Sequence, residues 1–128
     1  MKVAMPRFGE DIAPCFEYSA TITIFTIQRR RVVDELDFTL QSREALDRVR
    51  LLRDQQVDVL ICGGVQDVVE QLLQARGIRV ISWISGRVEE LLEAFIADRL
   101  IPGTARLGAD PDDGTGPDTG GDEETEIP

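Results

Sequence analysis

Two sulfurs and a doubled glycine are the residues of this chain best equipped for chemistry. Asp58-Val59-Leu60-Ile61-Cys62-Gly63-Gly64 runs an apolar stretch into a thiol and a glycine pair, the pattern of a short buried strand turning sharply into a helix. Backbone N–H groups gathered at such a turn can bind an anion or an anionic cluster. The sulfur of Cys62 either ligates a soft metal or fills core space as a small hydrophobe. Cys15 lies in a loop between Pro14 and Phe16, and reads either as a ligand and reactive thiol or as a passive loop residue. Gly63 and Gly64 serve tight packing or supply amide donors. Arg7 and Arg87 add positive potential if they share this edge, although surface arginines need no special role.

Several other chemistries lack their parts. The chain has no histidine, so a catalytic imidazole is excluded, and the two cysteines form no Cys-x-x-Cys pair. No Gly-x-Gly-x-x-Gly or phosphate-loop lysine motif is present, which removes the usual apparatus for dinucleotides and ATP. Two cysteines fall short of the four ligands of structural zinc. A preassembled anionic cluster needs fewer protein ligands, because amides can hold its sulfides, and a homodimer would bring more. Asp11, Glu17 and Asp58 are the carboxylates that would have to converge for two-metal hydrolysis. The reading is therefore a non-enzyme.

The elements that must position these residues follow from periodicity. Lys2 to Met5 is an apolar first strand that stops at Pro6, and Arg7 to Ser19 is a loop longer than a simple connection requires. Ala20 to Gln28 is rich in β-branched residues and favours a strand. Arg31 to Phe38 is its antiparallel partner across an arginine-rich turn. Ser42 caps a helix running to about Asp54, with Ala45, Leu46, Val49 and Leu52 as its apolar stripe. A strand at 58–62 follows, then a helix at about 66–76 with Val68, Val69, Leu72 and Leu73 inward and Gly77 as its left-handed stop. Ile78 to Trp83 is a strand, and a last helix begins near Gly86 with Val88, Leu91, Leu92 and Phe95 buried. Alternating helices and strands require parallel pairing. Right-handed crossovers place the strands at 58–62 and 78–83 on one side of the first strand, and the hairpin on the other. The expected fold class is α/β, a five-stranded mixed sheet in a three-layer sandwich.

Charge divides the chain. The net charge is −10 over 128 residues, but eight acidic and no basic side chains lie between Asp110 and Pro128. The first 109 residues carry 16 acidic and 14 basic groups, and no basic stripe with interleaved aromatics, which disfavours nucleic acid. Arg29-Arg30-Arg31 is the one basic run and reads as a solvated turn. The organised domain is expected to span 1–107, with 108–128 an acidic tail too polar to fold alone. Without a signal peptide or a long apolar span, the chain reads as cytoplasmic with free thiols and no membrane contact.

The whole arrangement resembles the dinitrogenase iron–molybdenum cofactor biosynthesis family. The matching segments are Met1-Lys2-Val3-Ala4-Met5-Pro6, Ile12-Ala13-Pro14-Cys15-Phe16-Glu17, Val57 to Gly64, Gly77-Ile78-Arg79-Val80 and Gly86-Arg87-Val88-Glu89-Glu90-Leu91-Leu92. The resemblance implies a ribonuclease-H-like sheet without nuclease chemistry. It also implies binding or carriage of an iron–sulfur, iron–molybdenum or other molybdenum–sulfur cluster during cofactor assembly, with metallocluster-assembly proteins as partners. Cys15, Phe16, Cys62, Gly63, Gly64 and Arg7 would then hold the cofactor, Cys15 and Cys62 through their sulfurs. The family often has His-Phe where this chain has Cys15-Phe16, so a thiolate would replace an imidazole. The alternative on the same scaffold is a metal-free protein-interaction or regulatory module.

Overall fold

The computed structural model describes residues 1–100. The expected tail, and the end of the domain from residue 101 onward, lie outside the described residues. Six strands and three helices occur in the order β1 (Lys2–Phe8), β2 (Asp11–Ile12), β3 (Thr21–Gln28), β4 (Arg31–Thr39), α1 (Ala45–Asp54), β5 (Val59–Ile61), α2 (Asp67–Ala75), β6 (Arg79–Ile81) and α3 (Val88–Ile96). The sheet order is β4-β3-β1-β5-β6, with β2 paired to the end of β1. β1 runs antiparallel to β3 and parallel to β5, and β5 runs parallel to β6. The mixed sheet, the hairpin and the placement of both crossovers agree with the sequence pattern.

Alternation along the strands feeds two cores. Ala4, Ile22, Ile24 and Leu60 face Val49 and Leu52 of α1 and Val69 and Leu73 of α2. Val3, Met5, Phe25, Val59 and Ile61 face Val88, Leu91 and Leu92 of α3. A side chain's sheet face changes with every residue, so adjacent Val3 and Ala4 serve opposite cores. Full burial of each such aliphatic group contributes about 1.5–3 kcal/mol. Two helical stripes differ from expectation. Leu46 is exposed while Arg48 is buried on α1, and Val68 is exposed on α2.

β1 does not end at Pro6. In an extended strand the N–H and C=O of one residue point to the same side, and the Pro6 carbonyl accepts the Ala13 amide at 2.9 Å. The missing proline donor therefore faces β2, beyond the last β1–β5 pair at Ala4 and Leu60, and the ladder to β3 loses nothing. Gly9, at φ +64°, turns the chain back so that Arg7 opposes Ile12. Part of the expected loop is thus a small hairpin, and its β2 gives the sheet six strands rather than the expected five. The Ile12 amide donates to the Gly86 carbonyl and the Val88 amide to that of Glu10, tying the hairpin to the start of α3.

The β3–β4 turn is made by Arg29 and Arg30 alone, both left-handed at φ +53° and +64°. β4 is an exposed edge carrying Asp34, Glu35 and Asp37, charges that discourage pairing with further strands. Ser42 does not cap α1. Its Oγ accepts the Glu44 amide at 3.0 Å, two residues early, and α1 starts after Glu44 with no side-chain cap. Among the described residues, no helix is long and apolar enough to cross a membrane.

Candidate functional site

The ends of β1, β5 and β6 form one rim, and the chain stitches it with backbone bonds outside the strands. Cys15 bridges to Gly64 in parallel fashion. The Gly64 amide donates to the Pro14 carbonyl at 2.8 Å, and the Phe16 amide to the Gly64 carbonyl at 2.9 Å. The Trp83 amide donates to the Gly63 carbonyl at 2.8 Å. The first loop and the glycine-ended strand therefore meet on one edge.

Closeness requires glycine at position 63 and leaves little room at position 64. A Cβ on Gly63 would lie 2.5 Å from the Ala13 carbonyl oxygen and 2.8 Å from that of Pro14, inside van der Waals contact with backbone. A Cβ on Gly64 would lie 3.2 Å from the Pro14 oxygen and 3.2 Å from the Trp83 ring. Both glycines are packed closely against the first loop, and the Gly64 amide is already engaged by the Pro14 carbonyl.

The two sulfurs have different surroundings. Cys15 is half-buried, and its Sγ donates to Glu17 Oε1 at 3.1 Å. Partial burial, with the Glu17 carboxylate beside it, pushes the thiol above its ordinary range, because both disfavour a thiolate. Glu17, itself buried, turns its other oxygen to the Gln66 amide at 2.8 Å, at the entry to α2. This carboxylate satisfies an orphan donor where negative charge is favoured. Cys62 is sealed in the core with Phe16, Val65 and Ala4, and burial drives its thiol far upward. Phe16 is wholly buried as well.

The other expected groups are scattered or engaged. Arg7 reaches the rim, with Nε donating to the Gly9 carbonyl at 2.8 Å and Nη1 to Thr23 at 3.4 Å. Arg87 pairs with Glu10 at 2.6 Å, which offsets its charge. Asp58 is at the opposite end of the sheet, where Oδ2 accepts the Lys2 amide at 2.8 Å. It does not join Asp11 and Glu17. Among the described residues, no three His, Cys, Asp or Glu side chains converge as a metal site.

Two clefts share Pro14 and Cys15. One, of about 580 Å³, is also lined by Arg7, Phe8 and Tyr18. The other, of about 570 Å³, is also lined by Glu17, Gly64 and Trp83. Phe8, Tyr18 and Trp83 are 80%, 75% and 60% exposed, so three of the chain's seven aromatics stand open around one half-buried thiol. Trp83 is also held at φ +62°, a conformation costly for a bulky residue. Periodicity marks Trp83 only as the end of a strand, and no local signal flags its exposure or its backbone.

Comparison with known proteins follows the same outline. The family model described as dinitrogenase iron-molybdenum cofactor matches residues 1–98. The crystal structure of PH0822 superposes with a TM-score of 0.75 at 19% identity, covering 86% of this chain and 96% of that one. MJ0327 of Methanocaldococcus jannaschii, provisionally described as a dinitrogenase, gives 0.68 at 18% identity, covering 78% and 91%. The apo form of the orange protein from Desulfovibrio gigas gives 0.65 at 20% identity, covering 84% and 96%. At these identities the structures share a fold. The curated proteins contain no sequence match.

Proposed function

Because the chain belongs to the dinitrogenase iron–molybdenum cofactor family, whose members are non-catalytic carrier and assembly proteins, we propose that it serves cofactor assembly as a metal-free interaction module. The carrying observation is the aromatic rim. Trp83, Tyr18 and Phe8 are exposed together around Pro14 and Cys15, and Trp83 keeps a strained backbone there. Exposed Trp and Tyr with clefts between them are the anchors on which protein interfaces concentrate their binding energy. The partner in this reading is a metallocluster-assembly protein. The protein works in the cytoplasm, where both thiols stay reduced, and its sheet is of the ribonuclease-H-like kind.

An iron–sulfur, iron–molybdenum or molybdenum–sulfur cluster is a poorer fit to the rim's donor set. Of the six residues expected to hold it, Cys62 and Phe16 are sealed in the core. The Gly64 amide is bonded to Pro14, and Gly63 is pressed against the first loop. Arg7 is turned to Gly9 and Thr23. Cys15 remains, but as a protonated thiol bonded to a carboxylate, an environment that opposes an anionic ligand. A homodimer supplying further ligands would change this balance.

The decisive experiment places a photo-crosslinking residue at Tyr18 in cells that assemble metalloclusters, with Leu46, exposed on α1, as control. A metallocluster-assembly protein should be captured from Tyr18 and not from Leu46. Its affinity should fall about 30-fold or more on Trp83→Ala, as for an interface anchor, and should survive Cys15→Ser. The reading is overturned if the purified protein takes up a stoichiometric metal–sulfur cluster under anoxic conditions and loses it on Cys15→Ser.

A further inference from the structure

Arg48 is the most unusual charged group in the molecule. It is only 2% exposed, yet no carboxylate among the described residues pairs with it. Its guanidinium is held by backbone carbonyls alone. Nε and Nη2 donate to the Ser19 oxygen at 3.0 and 2.6 Å, and Nη1 donates to those of Ser42 and Glu44 at 2.9 and 3.1 Å. Those four bonds use four of arginine's five N–H groups. The second Nη2 hydrogen has no protein acceptor among the described residues.

A buried cation without a counter-charge is costly, and removal from water magnifies the cost. The natural compensation is an anion. Arg48 lines a cleft of about 320 Å³ together with Arg43 and Tyr18. Arg43 and Tyr18 are exposed at its mouth, and neither is paired with a carboxylate. The nearest acid along α1 past Glu44, Asp47, is tied to Arg50 at 3.0 Å. The cleft thus offers two guanidinium groups and a phenol, with one buried N–H still open.

We infer that this cleft binds a small oxyanion between Arg43 and Arg48, with the Tyr18 hydroxyl as a third donor. Planar guanidinium groups match the oxygen spacing of phosphate-like and carboxylate ligands. The site is separate from the Cys15 thiol but adjoins the aromatic rim, because Tyr18 lines both. Occupancy would therefore fix the orientation of one rim aromatic.

The test titrates inorganic phosphate into the full chain at constant ionic strength and follows the Arg48 Nε–H resonance by NMR. A saturable shift with Kd of about 1 mM is expected for a few charge-assisted hydrogen bonds. Sulfate should compete for the same shift. Arg43→Ala should weaken binding about tenfold while leaving the melting temperature in chloride unchanged, since that side chain is exposed. Tyr18→Phe should weaken it less. The inference is overturned if Arg48 Nε–H does not respond at phosphate concentrations well above that Kd. It is equally overturned if Arg43→Ala binds as tightly as the wild type.

Discussion

Replacing Gly63 with alanine adds one methyl group at the point where the rim is stitched together. Its backbone is not left-handed, so the substitution carries no conformational penalty of its own. The whole cost is steric. The new Cβ would meet the Ala13 and Pro14 oxygens at 2.5 and 2.8 Å, whereas comfortable carbon–oxygen contacts begin near about 3.3 Å. Neither obstacle is a flexible side-chain end, so the first loop must retreat. Overpacking of this kind costs about 1–3 kcal/mol. The retreat also strains the bonds from Gly64 to Pro14 and from Phe16 to Gly64, each worth about 1 kcal/mol. A total of about 2–4 kcal/mol should lower the melting temperature by more than about 10 °C in a domain of this size. Differential scanning calorimetry reads the shift directly, and fluorescence of Trp83, the only tryptophan, reports the rim. Gly9→Ala provides the contrast, because Gly9 is left-handed but has no neighbour within 4 Å of a Cβ; it should cost only about 1 kcal/mol. A Gly63→Ala variant melting within about 2 °C of wild type, a few tenths of a kcal/mol, would refute the close-approach argument.

Further outcomes follow from the same structure. The left-handed pair Arg29-Arg30 can be replaced by Asn-Gly, which suits such a turn, and the double variant should be more stable by about 1 kcal/mol in urea unfolding. Cys15 should react with iodoacetamide at pH 8 more slowly in the folded than in the unfolded protein, because burial and Glu17 favour its protonated form. Glu17→Gln should speed the reaction, whereas Cys62 should stay unlabelled until the protein unfolds. Both thiols are raised in the folded state above the ordinary value of 9.0. Their contribution to stability is thus present below about pH 9 and lost as pH rises beyond it, because the unfolded chain then releases protons that the folded chain retains. Melting temperatures measured from pH 8 upward should decline, and Cys62→Ala should flatten the decline.

What the sequence discloses depends on whether a residue's role is local. The β-branched run Thr21-Ile22-Thr23, the alternating strands and helices, and left-handed Gly77 all act within a few residues. Their elements stand where periodicity places them. Pro6 misleads because its consequence depends on which neighbour its nitrogen faces, a matter of sheet order rather than of residue type. Ser42 has the right chemistry for a cap, but the chain reaches α1 two residues later. Leu46 and Arg48 exchange their expected environments because three carbonyls from two separate segments converge on the guanidinium. Asp58 has the right charge at the wrong end of its strand. The meeting of the first loop with Gly63 and Gly64 was inferable from parallel topology, since strand ends in such sheets share an edge. The exposure of Trp83 was not, because neither its residue type nor the strand pattern signals a left-handed backbone or an open side chain there.

The stitching between Pro14–Phe16 and Gly63–Gly64 has a consequence for how recognition here could diversify. Main-chain bonds to the centre of the sheet hold the loop's path, so that path depends little on which side chains it carries. A visiting molecule meets a surface already in its final shape and need not freeze a wandering segment first. Outward-facing positions such as Phe8, Pro14 and Tyr18 can then drift toward new preferences while the frame beneath them stays put, provided the paired glycines are kept.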